Sequence, residues 1–427
     1  MKSLLQFFLN LLARAYIWRF KPVIIAVTGN VGKTSTKEAI ACVLGSVKRV
    51  RSSGGNLNNE FGVPLTILGD WHKEYYEKGP SLWFWLKVLF YAKWGFFFNR
   101  KYPEVLILEF GADRPGDIEK LAKIFKPKIG IVTAVGEVPV HVEYFSGPEQ
   151  IAEEKSKLIS ALNVGDNAIL NFDDLAVLEM KRKSRAKVTT FGFGEGADIR
   201  ISGYTVITSG ELGIIFKLER GEHTFVPVKI NGTIGKSQAY AAAAAAAVGL
   251  SSGMNLVTIR EALASYQGPA GRLKILKGIK NTTIIDDTYN AAPASTHNAL
   301  ETLKQFTGRR RIAVLGDMLE LGKYSVQAHQ VVGDMAGSVA DILVCVGSSA
   351  KFIADSAGNQ MPSDRIYRFD TSEDAKMKIK ELLHEADVAL VKGSQGIRME
   401  KIVEEIMAEP EKKKELLVRQ SKKWLSK

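Results

Sequence analysis

The chain is poor in the residues that build disulfide frameworks and thiol metal sites. It has two cysteines in 427 residues, Cys42 and Cys345, far apart in sequence. That spacing excludes a disulfide scaffold and a cysteine zinc site, and it fits a reducing compartment. Glycine and proline show no excess at 38 and 13 residues, which excludes a fibrous repeat. No Ser-His-Asp or Cys-His arrangement stands out, so a covalent nucleophile is not expected. What is present is 46% hydrophobic residues, too many for disorder, in a length suited to two or three domains with real cores.

Positive charge is in excess, at a formal +12, and it is localised. Residues 1–22, 71–102 and 409–427 each carry +4, and the remaining 354 residues hold 41 basic and 41 acidic side chains. All six tryptophans lie in those three segments: Trp18, Trp71, Trp83, Trp85, Trp94 and Trp424. A nucleic-acid binder would spread basic residues over one folded face, so no nucleic-acid partner is expected. Basic, tryptophan-rich segments read first as membrane interface.

Residues 4–20 are mostly apolar, with Gln6, Asn10 and Arg14 as a narrow polar stripe. Seventeen residues interrupted by Arg14 fall short of the roughly 20 needed to span a bilayer. Ala13-Arg14-Ala15 mimics a signal-peptide cleavage site. Against that reading, a core strand starts at Val23 and leads into a nucleotide loop. An amphipathic helix over 1–21 lying in the membrane interface is expected, with packing on the protein's own core as the alternative. Residues 81–98 hold nine aromatics among eighteen, with Lys87 and Lys93 inside. They read as membrane-facing, with a partner-protein interface or a hydrophobic lid as alternatives.

Val23–Thr28 (VIIAVT) reads as a buried parallel strand, followed by Gly29-Asn30-Val31-Gly32-Lys33-Thr34-Ser35 and a helix to about residue 45. Strand, glycine turn, Lys-Thr and helix make a phosphate loop. Its backbone N–H groups and helix N-terminus favour oxyanions, Lys33 neutralises phosphate, and Thr34 offers a hydroxyl to Mg²⁺. Val27 occupies the first glycine position of the general pattern. Val105–Glu109 (VLILE) is a second buried strand, whose terminal Glu109 stands where a second Mg²⁺ contact is needed. A third strand at 129–135 is followed by His141 and Lys155. Composition alone reads these two as a structural histidine and a solvated ion pair.

Together these motifs resemble the Mur ligase family, in the branch that joins D-alanyl-D-alanine to a UDP-muramoyl-tripeptide. The resemblance runs through residues 28–34 (TGNVGKT), 56–64 (NLNNEFGVP), Glu109-Phe110-Gly111, and His141 with Lys155. It continues through 285–293 (IDDTYNAAP), 314–322 (VLGDMLELG) with His329, and Lys392-Gly393-Ser394 with Met399-Glu400. The resemblance implies that Lys33, His141 and Lys155 are catalytic, and that Thr34, Glu109, His141 and Lys155 hold two Mg²⁺ ions, with Lys155 carbamylated. Arg272 would meet the ATP phosphates, Asp287 the ribose, and Gln238 the adenine in place of the family's asparagine. Asn56, Asn58, Asn59, Glu60, Asn290, Lys392 and Ser394 would contact the peptide substrates. Ala292 and Gln395 depart from the family pattern, and against that pattern the family's sugar-nucleotide domain is expected to be missing ahead of Val23.

The implied architecture is α/β. An ATP-binding phosphate-loop domain spans 22–268 with an aromatic insert at 71–102 and a β-rich stretch near 198–230. A hinge at 268–271 leads to a smaller Rossmann-like domain over 269–408, with strands at 282–286, 311–315, 342–346 and 388–391, and then a basic tail over 409–427. The implied activity is ATP-driven amide formation through an acyl phosphate in peptidoglycan precursor synthesis. It would be carried out by a cytoplasmic monomer, with membrane contact through 1–21, 81–98 and the tail. A lipid-linked acceptor, or a nucleotide-dependent scaffold without ligase chemistry, are the competing readings.

Overall fold

A computed structural model describes residues 2–55, 57–136, 142–145, 147–221 and 223–425, apart from the side chains at 78, 144 and 423. Among the described residues, nine strands form the first sheet: β1 (Val23–Thr28), β2 (Val50–Ser52), β3 (Val105–Glu109), β4 (Ile129–Val132), β5 (Asn167–Asn171), β6 (Lys187–Gly192), β7 (Ile199–Ile207), β8 (Gly213–Arg220) and β9 (Thr224–Asn231). Their order is β2-β3-β1-β4-β5-β6-β7-β8-β9. The sheet is parallel up to the β6–β7 pair and closes as an antiparallel meander over β7, β8 and β9. Residues Ile24 to Thr28 of β1 are buried, as a β-branched run between helical layers should be. β1 lies between β3 and β4, so the loop after it opens at a switch in strand order, where α/β sheets bind ligands.

The second sheet comprises β10 (Lys274–Lys277), β11 (Thr283–Asp287), β12 (Arg311–Gly316), β13 (Ile342–Val346), β14 (Ile366–Phe369) and β15 (Val388–Lys392), in the order β10-β11-β15-β12-β13-β14. Only the β10–β11 pair is antiparallel. Asp287 and Lys392 are paired in register at the ends of β11 and β15. Both line a pocket together with Asn30, Val31 and Gly32 of the phosphate loop.

The alanine run lies within the helix Lys236–Ser251, which is buried along most of its length. Its small side chains let it pack closely on the phosphate-loop helix Lys33–Gly45; a Cβ on Gly249 would stand 3.1 Å from Val43. β4 stops at Val132 rather than 135, because the next residues turn to support the phosphate loop. Thr133 Oγ donates to Val31 O at 2.6 Å, and Ala134 O accepts from Asn30 N at 2.6 Å.

The N-terminal helix, Lys2–Phe20, packs on the first domain through Leu9, Ala13 and Tyr16, all buried. The polar stripe is only partly a solvent face: Arg14 is exposed but Gln6 and Asn10 are half-buried, while Leu4, Phe7, Leu11 and Trp18 are exposed. Tyr16 Oη donates to Ala92 O at 2.6 Å, which ties this helix to the insert helix Leu82–Phe98. Part of the basic tail is folded onto the second domain. Leu417 joins the core of the second domain, and Arg419 is buried in an ion pair with Glu400. Glu400 and Glu404, earlier in the chain, pair with Arg419 and Lys413 of the tail.

Candidate active site

The phosphate loop leaves β1 through Gly29 and Gly32, both at positive φ. A Cβ on Gly29 would lie 2.0 Å from Thr133 Oγ, so only glycine fits this turn. Lys33 Nζ donates to Gly29 O at 2.7 Å and Asn30 O at 3.3 Å, which holds the ammonium over the loop. Burial pushes its pKa down; Glu109 opposes the shift and Arg272 adds to it.

Thr34 Oγ donates to Glu109 Oε2 at 3.1 Å, and accepts from Arg272 Nη2 at 2.8 Å. Arg272 thus crosses from the second domain onto the phosphate loop, and its guanidinium lies 3.9 Å from the Tyr289 ring centroid. Glu109 is buried, has Thr34 and Asn58 as hydrogen-bond partners, and forms no salt bridge among the described residues. A buried carboxylate beside a hydroxyl and in no salt bridge among the described residues has the donor chemistry of an oxygen-seeking dication such as Mg²⁺. No group of three or more His, Cys, Asp or Glu side chains could hold a metal among the described residues. Two protein oxygens suit Mg²⁺, which keeps water or phosphate as its other ligands.

Lys155 lies on the helix Pro148–Ser160 and is 3% exposed. It does not join the solvated pairs of that helix, which are made by Glu153 with Lys157 and Lys183. Burial first, and then the charge of Lys33, pushes its pKa down to about 7. His141 and Asn56 lie outside the described residues.

Asp287 Oδ2 accepts from Lys392 Nζ at 2.6 Å, and Lys392 also donates to Asn290 O at 2.9 Å. Burial pushes the Asp287 carboxyl up, and Lys392 opposes the shift. Lys392 is therefore committed inside the protein rather than open to a peptide substrate. Ser394 Oγ accepts from Leu319 N at 2.8 Å and donates to Ala291 O at 3.4 Å, pinning the 314–322 segment to β11's loop. His329 is buried in the same support: Nε2 accepts from Met318 N at 3.0 Å.

Gln238 does not have the role expected of it. Its Nε2 donates to Arg272 O at 2.7 Å, and its Oε1 accepts from Tyr266 Oη at 2.8 Å, so both amide functions are engaged and the residue is fully buried. An adenine contact through Gln238 is withdrawn, and positioning of Arg272 takes its place. Asn58 reaches Glu109 at 3.4 Å, whereas Asn59 Oδ1 accepts from Phe61 N and Gly62 N as a turn residue, and Glu60 is exposed.

The structure adds Tyr289, Arg398 and Trp424, which with Lys33, Glu109 and Arg272 line a cleft of about 650 Å³ between the domains. Tyr289 lay in plain view in the 285–293 segment. Trp424 was hidden by its basic surroundings.

Residues 95–249 match a family model described as the Mur ligase middle domain, and residues 271–395 match the Mur ligase glutamate ligase domain. The UDP-N-acetylmuramoyl-tripeptide–D-alanyl-D-alanine ligase of Bacillus subtilis is 29% identical over 405 residues, covering 94% of this chain and 79% of the relative. Its Synechocystis counterpart is 30% identical over 402 residues, covering 93% and 77%. Among solved structures, the MurF ligase of Thermotoga maritima in complex with ADP superposes with a TM-score of 0.76 at 27% identity, covering 95% of this chain and 84% of that one.

Proposed function

The chain belongs to the Mur ligase family, and from that premise we propose that it joins D-alanyl-D-alanine to a UDP-N-acetylmuramoyl-tripeptide at the expense of ATP. The reading rests above all on one observation: Arg272 of the second domain meets Thr34 of the phosphate loop at 2.8 Å, beside Lys33 and Glu109.

In this mechanism the terminal carboxylate of the tripeptide attacks the γ-phosphorus of ATP. The bond to the β,γ-bridging oxygen breaks, giving an acyl phosphate and ADP. Lys33 and the loop N–H groups hold the phosphates, and Arg272 offsets charge shared between them and the incoming carboxylate. Thr34 and Glu109 would hold Mg²⁺, which supplies further neutralisation of phosphate charge when bound. The amine then attacks the acyl carbon, phosphate leaves, and the nitrogen loses its extra proton. Closure of the second domain keeps water from the acyl phosphate.

Lys155 is assigned to a carbamate. Its neutral amine attacks CO₂, forms an N–C bond and loses a proton, so a cation becomes an anion able to serve a second metal with His141. Burial and a pKa lowered to about 7 support this, because only the neutral amine reacts. Enzyme stripped of CO₂ should lose turnover and regain it with bicarbonate; full activity in Lys155→Ala would refute the assignment.

The protein is also assigned to the inner face of the cell membrane, held by the N-terminal and insert helices. They pack against each other, and each leaves aromatic residues outside: Trp18 is 75% exposed and Trp83 80%, with Phe90, Trp94 and Phe98 also exposed. Lys2, Arg14, Arg19, Lys21, Lys93, Arg100 and Lys101 are exposed around them, which complements anionic lipid. No helix among the described residues is long and apolar enough to cross a membrane, so the helices would lie on the surface. Flotation with anionic vesicles should carry the protein, and a Trp83, Phe90 and Trp94 triple serine variant should stay behind. Equal flotation of the two, or self-association that the variant abolishes without vesicles, would refute it.

ADP release with soluble UDP-muramoyl-tripeptide plus D-alanyl-D-alanine tests the ligase reading. Silence with that acceptor and turnover with a lipid-linked one would move the substrate assignment.

A further inference from the structure

The last described residues run back over the catalytic cleft. Val418 stands against the hinge, where a Cβ on Gly271 would lie 2.8 Å from its Cγ1. Arg419 Nη1 donates to Thr288 O and to Glu400 Oε2, both at 2.9 Å, and its Nη2 donates to Tyr289 O. The short helix Lys422–Leu425 then rests on the insert helix His72–Lys78 of the first domain. The tail therefore ties one domain to the other across the cleft mouth, and Trp424 becomes part of the cleft wall.

Glu109, Asp113 and Glu320 line the cleft beside the cations Lys33, Arg272 and Arg398, and the local surplus of positive charge lies around Glu400. Glu400, 1% exposed, pairs with Arg419 and also with Arg398, whose Nε donates to Oε1 at 2.5 Å. Two guanidiniums share one carboxylate, which leaves one positive charge over. Arg419 has three acceptors. Arg398 Nη1 donates to Trp424 O at 2.8 Å, and its Nη2 makes no hydrogen bond among the described residues. The Trp424 ring centroid lies 5.4 Å from the Arg398 guanidinium carbon, so one side of that cation is shielded from water.

The other cations of the site are engaged elsewhere: Lys33 and Arg272 on the phosphate loop, and Lys392 on Asp287. The amine substrate of a ligase of this kind is a zwitterion. Its nitrogen must approach the acyl phosphate, and its carboxylate must then find a cation farther along the cleft. We infer that Arg398, braced by Glu400 and screened by Trp424, binds the free carboxylate of the incoming amino acid or dipeptide. The inference rests on the ligase reading and adds to it a residue that selects the amine substrate. A guanidinium offers the planar fork that carboxylates match, and a partly dehydrated site strengthens the bond.

The test is steady-state kinetics of the full chain with saturating ATP and acceptor. D-alanyl-D-alanine and its C-terminal amide are compared in the wild type, Arg398→Gln and Trp424→Ala. In the wild type, amidation should reduce kcat/KM by about tenfold to a hundredfold. Arg398→Gln should show a similar loss with the free dipeptide, by raising its KM, and no further loss on amidation. KM for ATP should stay within about twofold, which a merely structural lesion would not achieve. Trp424→Ala keeps the backbone carbonyl that Arg398 needs, so it preserves the test if the glutamine variant folds poorly, and its acid-to-amide ratio should fall. A glutamine variant as sensitive to amidation as the wild type, or a parallel rise in KM for ATP, overturns the inference alone. Failure of the wild type to turn over with any amine would overturn the ligase reading and this inference together.

Discussion

Replacing Lys155 with methionine should make the protein more stable while it destroys the activity. The unfolded chain holds the Lys155 proton up to about pH 10.5, and the folded chain only up to about 7. Below pH 7 both states are protonated, and the folded state bears the whole penalty of a buried charge. The interval from 7 to 10.5 corresponds to about 5 kcal/mol. Between those values the unfolded state binds more protons, so wild-type stability climbs by about 1.4 kcal/mol per pH unit. Methionine is unbranched, of similar length and uncharged, so it fills the space without the penalty. The variant should gain about 3–5 kcal/mol at pH 6 and about 2 kcal/mol at pH 9. At about 2–4 °C per kcal/mol for a domain of this size, its Tm should rise by roughly 6–20 °C at pH 6, and by less at pH 9. Thermal melts in CO₂-free buffer, without nucleotide, measure both. A variant that melts below the wild type at pH 6, or a difference that does not change with pH, refutes the reasoning.

Three further perturbations follow from contacts already described. Glu400→Gln leaves Arg398 and Arg419 facing each other without a counter-ion and should cost about 3–5 kcal/mol in urea unfolding; a cost under about 1 kcal/mol would mean that the pairs are not coupled. Tyr16→Phe removes the 2.6 Å bond to Ala92 and should cost about 1–2 kcal/mol, read as faster proteolysis near residue 21; unchanged cleavage would show that the N-terminal helix is held otherwise. Glu109→Gln keeps the shape but not the charge, and should raise the Mg²⁺ concentration for half-maximal ATP turnover by about tenfold or more. An unchanged Mg²⁺ requirement would remove Glu109 from the metal site.

The parts of this protein that could be read in the sequence are those whose physics is local. β1, β3 and β13 run between the expected residues because a short β-branched run bounded by turn residues has few other options. Lys33, Thr34 and Glu109 come together because the loop and the strand end are fixed by the order of neighbouring strands. What escaped was decided at long range. The amide of Gln238 found Tyr266 and the Arg272 carbonyl, 28 and 34 residues away. Glu400, nineteen residues earlier, pairs with Arg419 and draws part of the basic tail inward, which a count of basic residues does not show. The side of the N-terminal helix that turns inward was set by Leu9, Ala13 and Tyr16 fitting a surface made by residues far downstream.

The strap over the cleft also sets an order of events during synthesis. The last residue assigned to the phosphates, Arg272, precedes Trp424 by 152 positions. At about 5–20 residues per second the interval is about 8–30 s. The phosphate-binding residues of a nascent chain are thus all made before Trp424 and the Lys422–Leu425 helix complete the cleft wall. A peptide tag added after Trp424 would project from the mouth of the cleft, and should disturb turnover more than one placed in an exposed loop of the β7–β9 meander.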